Sequence, residues 1–275
     1  MNFKLIYISP NGTTEKTTQI LKNVIEKDGH TVELINLGAG KNREDFGQIL
    51  EIIDEADIVG FGAPAYHMDM LEPMKRFFQA MQTAGRVYQF GAFLYLNYGG
   101  ITSGKAFSNT ALLFASMDIP LIGAMKVMAP HFHHLDSFPT QTTEAFIQEF
   151  YEALQAKDFA LILNDRLKAL FSPRKKRVNL IYPLVHIIGK KRELPITIKP
   201  DICKNCGKCV KECPVAAISI KCVATIDLEK CIHCYHCSVI CKLGAVEVPV
   251  EKLDKMIQLN KCIIGMENPP NEIYR

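Results

Sequence analysis

A chain of 275 residues with a formal net charge of +3 is long enough for two domains and too weakly basic to suggest nucleic-acid binding. No apolar run approaches the roughly 18 residues needed to cross a bilayer. The opening Met1-Asn2-Phe3-Lys4-Leu5-Ile6 reads as a strand, too short and too lightly charged for a signal peptide, so a reducing cytoplasm is the expected compartment.

In chain order, residues 4–8 form a short apolar run followed at once by Ser9-Pro10-Asn11-Gly12-Thr13-Thr14. A helix is expected from 15 to about 28, with Ile20, Leu21, Val24 and Ile25 on one face. Strand 32–37 and helix 44–54 follow. Strand 57–62 leads into Ala63-Pro64-Ala65-Tyr66-His67, then helix 71–82. Strand 90–97 leads into Tyr98-Gly99-Gly100, then helix 103–117. A fifth strand lies within 119–128, and a last helix within 142–163. This alternation argues for a parallel sheet with helices on both faces, and ligands of such sheets bind beyond the carboxyl ends of the strands. The first loop has the donors for an anion: Ser9, Thr13 and Thr14 hydroxyls beside the N–H groups that open a helix. It has neither the GxxxxGK[ST] nor the GxGxxG spacing, so a single phosphate monoester fits better than a pyrophosphate. The alternative is a plain Ser/Thr helix cap.

Residues 173–192 hold Arg174, Lys175, Lys176, Arg177, Lys190, Lys191 and Arg192 and no acid. They read as a basic linker around a largely apolar centre, solvated or serving as a patch for an acidic partner or an anionic membrane surface. All ten cysteines follow it. Eight fall into two copies of one run, Cys203-x2-Cys206-x2-Cys209-x3-Cys213-Pro214 and Cys231-x2-Cys234-x2-Cys237-x3-Cys241, each cysteine of the second lying 28 positions after its counterpart. Three thiolates on a short loop hold three corners of a cubane, and the fourth reaches the other cluster. The spacing therefore assigns one [4Fe–4S] cluster to Cys203, Cys206, Cys209 and Cys241, and another to Cys213, Cys231, Cys234 and Cys237. Zinc would leave the fourth cysteine of each run without a purpose, and a disulfide framework suits a secreted chain. Lys242 stands where the second run would have proline, and its charge beside Cys241 should raise the potential of the cluster that Cys241 serves. Cys222, between Ile220 and Val223, is expected to be a buried apolar filler.

The three loops of the first part, in this order, resemble those of the flavodoxin family, and with the cysteine runs the whole chain resembles flavodoxin–ferredoxin fusion proteins of anaerobic bacteria and archaea. The resemblance implies a flavodoxin-like, doubly wound, five-stranded parallel α/β sheet of order 2-1-3-4-5, bound FMN, and a small α+β two-cluster ferredoxin domain. By position, Ser9, Asn11, Gly12, Thr13 and Thr14 would hold the FMN phosphate. Pro64, Ala65 and Tyr66 would cover one side of the ring, while Asn97, Tyr98, Gly99 and Gly100 approach from the other. The third loop lacks the acid that strongly low-potential flavodoxins often place near FMN.

The expected division is 1–165 for the flavin domain, 166–195 for the linker, 196–250 for the ferredoxin domain and 251–275 for a C-terminal extension. The spacing of His131, His133 and His134, with Asp136 and His67, does not put three metal ligands on one face, and His67 and one of the others fit better near the flavin edge. His233 and His236, inside the second cysteine run, either tune that cluster or lie on the surface. No catalytic residue stands out. The expected function is electron relay among FMN, two clusters and redox protein partners, with homodimerisation as a further option. The alternative is a ferredoxin-fed flavin reductase of a small acceptor such as a quinone, a flavin or oxygen.

Overall fold

Strand β1 (Asn2–Tyr7) sends Phe3, Leu5 and Tyr7 to one side of a sheet and Ile6 to the other, the period of two that a strand buried on both faces requires. The computed structural model describes residues 1–43, 45–131, 135–156, 158–159, 162, 180, 183 and 194–274. The expected basic runs at 174–177 and 190–192, and His133 and His134, lie outside them.

Helix α1 (Thr13–Lys27), strand β2 (Thr31–Asn36), helix α2 (Gly47–Ile53) and strand β3 (Ile58–Tyr66) come next. They are followed by the two-residue strand β4 (Asp69–Met70), helix α3 (Glu72–Ala84), strand β5 (Gly91–Tyr98), helix α4 (Ala106–Ser116), strand β6 (Leu121–Met128) and helix α5 (Gln141–Gln155). The parallel strands lie in the order β2-β1-β3-β5-β6. Counting only the five parallel strands, this is the expected 2-1-3-4-5, with the reversal of order between β1 and β3 that opens a crevice at their carboxyl ends. The sheet is wider than five strands: β4 pairs with the end of β3, and a further strand from the far end of the sequence pairs antiparallel with β6.

Helices α1 and α5 cover one face, through Leu21, Ile25, Ile147, Phe150 and Leu154. Helices α2, α3 and α4 cover the other, around Phe61, which packs edge-on against Phe78 and Phe114 with centroids 5.3 and 5.2 Å away. Each such buried ring stabilises the fold by roughly 1.5–3 kcal/mol relative to exposure. Gly62 has a specific reason to lack a side chain, because a Cβ there would fall 2.0 Å from the Tyr95 ring. The last helix ends at Gln155, short of the expected 163.

The cysteine-rich part is built twice. It comprises strand β7 (Thr197–Ile198), helix α6 (Lys208–Glu212), the hairpin β8 (Ile218–Ile220) and β9 (Ala224–Ile226), helix α7 (His236–Ile240) and strand β10 (Val246–Glu247), which pairs with β7. The 28-residue period reappears in the backbone. Left-handed residues occur at Asn205 and His233, at Gly207 and Tyr235, and at Ala216 and Gly244. Cys222 is exposed rather than a buried filler. It occupies the tip of the β8–β9 hairpin, whose three-residue strands are too short to cover it, and its carbonyl accepts a bond from Asn205.

Helix α8 (Val250–Ile264) and strand β11 (Glu272–Tyr274) complete the chain. The residues expected to be an extension return to the first domain, where β11 becomes the outer strand beside β6. There Lys126, 2% exposed, meets Glu267 at 2.7 Å and Glu272 at 2.9 Å. Tyr98 donates its hydroxyl to the Pro270 carbonyl at 2.5 Å, and Asn271 Oδ1 accepts from the Met128 N–H.

Candidate functional site

The first turn of α1 leaves its N–H groups without helical partners, as any helix does, and Gly12 caps it at φ +84. Among the described residues nothing lies within 4 Å of a Cβ built on Gly12. The position therefore demands glycine for its left-handed backbone, not because a protein neighbour crowds it. Ser9 acts in part as the plain cap, since its Oγ accepts from the Glu15 N–H at 2.9 Å. Thr14 does not: it is fully buried, and its hydroxyl has no hydrogen-bond partner among the described residues. A buried hydroxyl left unpaired costs about 1–3 kcal/mol, so this one calls for an acceptor such as a phosphate oxygen.

The Asn11 side chain, expected to hold a phosphate, bonds to the cysteine domain. Its Nδ2 donates to the backbone carbonyl of Cys234 at 2.9 Å and lies 3.4 Å from the Tyr66 hydroxyl. Its Oδ1 is buried and unpartnered among the described residues. Tyr66 sits beside it, and burial, then the nearby Cys234 thiol, push its phenol well above the ordinary tyrosine value. Asn97, at the end of β5, donates to Thr17 at 3.0 Å and keeps an Oδ1 that is buried and likewise unpartnered. Tyr98, expected to approach the flavin, is 3% exposed and tied through its hydroxyl to the C-terminal tail. Gly99 packs against His131, whose ring would stand 2.7 Å from an added Cβ.

These loops surround one cavity of about 810 Å³. The sheet supplies Asn11, Thr13, Tyr66, His67, Asn97, Gly99 and His131. The cysteine domain supplies Ile232, His233 and Tyr235, and α8 supplies Leu253, Met256, Leu259 and Ile264. A chamber of this size, mostly apolar and with a few polar groups, suits a cofactor-sized molecule. His67 and His131, expected near a flavin edge, both line it. Sequence reasoning missed the roof, because residues 251–275 carry no motif and read only as a C-terminal extension.

The cysteines divide into two sets. Cys203, Cys206, Cys209 and Cys241 line one small cavity. Cys213, Cys231, Cys234 and Cys237 line a second, which Cys209 also borders. Burial, with the neighbouring Cys231 thiol next, pushes Cys237 up to about 12, and burial pushes Cys234 up as well. Thiols so placed hold their protons unless a cationic core compensates the thiolates, which is what iron does. Cys213 Sγ also accepts from the Ala217 N–H at 3.2 Å. His236 is half-buried, and burial lowers its pKa. Tyr235 occupies the left-handed position that glycine holds in the first copy, at φ 59. That conformation costs an ordinary residue about 1–2 kcal/mol, and here it aims a buried ring at the large cavity, with the Leu194 N–H donating to its hydroxyl. Aligning the two runs sets Tyr235 over Gly207, so the signal was present in the sequence.

Residues 196–219 match the family model of the 4Fe–4S binding domain. One component of an ion-translocating oxidoreductase complex from Methanosarcina acetivorans is 47% identical over 68 residues, 23% of this chain and 26% of that protein. One component of the H(2):CoB-CoM heterodisulfide,ferredoxin reductase from Methanothermobacter thermautotrophicus is 29% identical over 95 residues, 28% of this chain and 14% of its own length. The matches thus span about a quarter or less of these curated relatives. Among solved structures, a flavodoxin from the domain Archaea aligns over 57% of this chain and 98% of its own at 19% identity, with a TM-score of 0.45. Among the described residues no helix is long and apolar enough to cross a membrane.

Proposed function

We propose that this chain, a flavodoxin-like domain joined to a 4Fe–4S ferredoxin domain, is an electron-transfer protein that relays single electrons between FMN, two [4Fe–4S] clusters and external redox proteins of a reducing cytoplasm. The observation that carries the reading is the 2.9 Å bond from Asn11, in the loop that opens α1, to the carbonyl of Cys234. One side chain belongs to both centres, so they lie side by side within one molecule, and transfer between them needs no collision.

FMN supplies both one- and two-electron exchange, and each cluster supplies one-electron exchange. The chain's own residues do the rest. Ser9, Thr13, Thr14 and the N–H groups of the first turn of α1 hold the phosphate, Thr14 through its unpaired hydroxyl. Tyr66 and the Gly99 backbone would flank the ring, with Tyr235 on the cluster side of the cavity, whereas Gly100 does not line the cavity and packs against Met266 and Met128. Residues 1–165 form the flavin domain and 196–250 the cluster domain, with 251–275 roofing the cavity and returning to the sheet. Anaerobically prepared protein is expected to hold about eight iron, eight acid-labile sulfide and one FMN per chain. Zinc in place of iron would overturn the cluster assignment, and absence of flavin would overturn the other half.

The reductase reading draws on the size of the cavity, about 810 Å³ with an apolar roof from α8. Steady turnover of a small quinone at partner-free dilution separates it from pure relay.

Gly12→Val tests the phosphate site. A β-branched residue at φ +84 is strained, and relief of the strain swings the first N–H groups of α1 out of line. FMN affinity, read by titrating flavin-free protein, should fall by about tenfold or more while the iron content stays unchanged. Wild-type affinity in the variant would leave residues 9–14 as a helix cap alone.

A further inference from the structure

The two cysteine sets face different surroundings. Carbonyls of Cys234 and Cys213, both of the inner set, are held by side chains of the sheet domain: Asn11 at 2.9 Å and Arg43 Nη1 at 2.8 Å. Pro214 packs on Gly38, close enough that an added Cβ would stand 3.1 Å from the proline's own. Cys234 is buried. The outer set opens the other way. Cys206 is exposed, and the cavity that these four cysteines share is about 110 Å³. The charged side chains lining it are Lys204, Lys208 and Lys242, and among the described residues no carboxylate lines it. Ile220 and Leu243, on the same rim, are 37% and 51% exposed. Of the acids close by in the fold, Glu247 is paired with Lys199, Asp201 lies on the loop before Cys203, and Glu212 stands one turn after Lys208 on α6.

An apolar centre ringed by like charges is the anatomy of a docking face for a partner of opposite sign. We infer that the face around Cys203, Cys206, Cys209 and Cys241 docks an acidic one-electron carrier protein, and that electrons cross the chain in the order partner, outer cluster, inner cluster, flavin, or the reverse. This rests on the cluster reading of the two cysteine sets. The exchange balances as one electron lost by the carrier and one gained by the outer cluster, with no bond made or broken and no proton moved. Cys209, bordering both cysteine cavities, lies between the two sets. The flavin loops face the cysteine domain and α8 across the large cavity.

The test uses holo-protein and a small, strongly acidic two-cluster ferredoxin as probe, with a basic cytochrome c as control, and binding is measured by calorimetry at low and high salt. Wild type should bind the acidic probe, bind the cytochrome at least about tenfold more weakly, and lose affinity as salt rises. Combined Lys204→Glu, Lys208→Glu and Lys242→Glu should weaken binding at least about tenfold. The same reversals at Lys252, Lys255 and Lys261 on α8 should leave it unchanged. Iron is counted in every sample. A count well below eight in wild type sinks the cluster reading itself. Full iron with no binding, with salt-independent binding, or with equal binding by both triple variants overturns the docking face alone. So does attachment to anionic lipid vesicles without affinity for the acidic protein.

Discussion

Lys126→Met should free the C-terminal tail from the sheet. The ammonium is 2% exposed and joins two carboxylates that are themselves almost buried, Glu267 at 2.7 Å and Glu272 at 2.9 Å. Methionine keeps the length of the stem but leaves two acids facing each other without a cation. Removing one partner of a buried ion pair costs about 3–5 kcal/mol. The acids can escape this only by moving into water, which peels β11 from β6 and unseats Glu267 from Thr102 and the Ser103 N–H. Amide exchange across residues 267–274 should then accelerate by at least about a hundredfold, since each 1.4 kcal/mol is a factor of ten. The parallel sheet, whose core the substitution hardly touches, should keep its protection. Unchanged exchange in the tail would mean that Tyr98 with Pro270, and Met128 with Asn271, suffice to hold it.

Cys213→Ser should abolish the cluster that Cys231, Cys234 and Cys237 share and spare the one held by its nearer sequence neighbours. Cys213 follows Cys209 by only four positions, yet the chain carries it to the cavity of the second run, where Arg43 holds its carbonyl. A serine oxygen is a poor substitute for thiolate at a cubane iron, so iron should fall from about eight to about four per chain. Cys203→Ser should produce the same stoichiometry with the complementary paramagnetic-resonance signal removed. The crossing fails if both variants lose the same signal.

Much of the first domain was legible because its elements are long and strongly periodic. The apolar run in β1 and the one-sided spacing in α1 can be read without tertiary context. What stayed hidden depends on contacts between distant residues. Asn11 looks like one more polar residue in a phosphate loop, and its bond to Cys234 spans 223 positions. Strand β11 has three residues, too few for any period, and it exists only because β6 offers an open edge. Lys126 sits within the apolar run Leu121–Met128, where sequence alone gives no reason for a charge. Its partners lie more than 140 positions away. Cys222 was misplaced because apolar neighbours suggest burial, whereas the tip of a small hairpin has nothing above it. The cysteine spacing, by contrast, carries geometry directly: a short loop leaves each of the first three thiols one direction to face.

The antiparallel partner of β6 has a consequence for biosynthesis. Until residues 272–274 emerge, the nascent sheet presents Leu121–Met128 as a bare edge, a template for pairing with a neighbouring chain. At ribosomal speeds the intervening segment takes roughly ten to thirty seconds to appear. The whole cysteine domain is made within that interval, while the seam is still open. Closing so long a loop adds little entropic penalty, because the cost grows only with the logarithm of its length. The strand that seals the first domain is thus delivered only after the second has been synthesised.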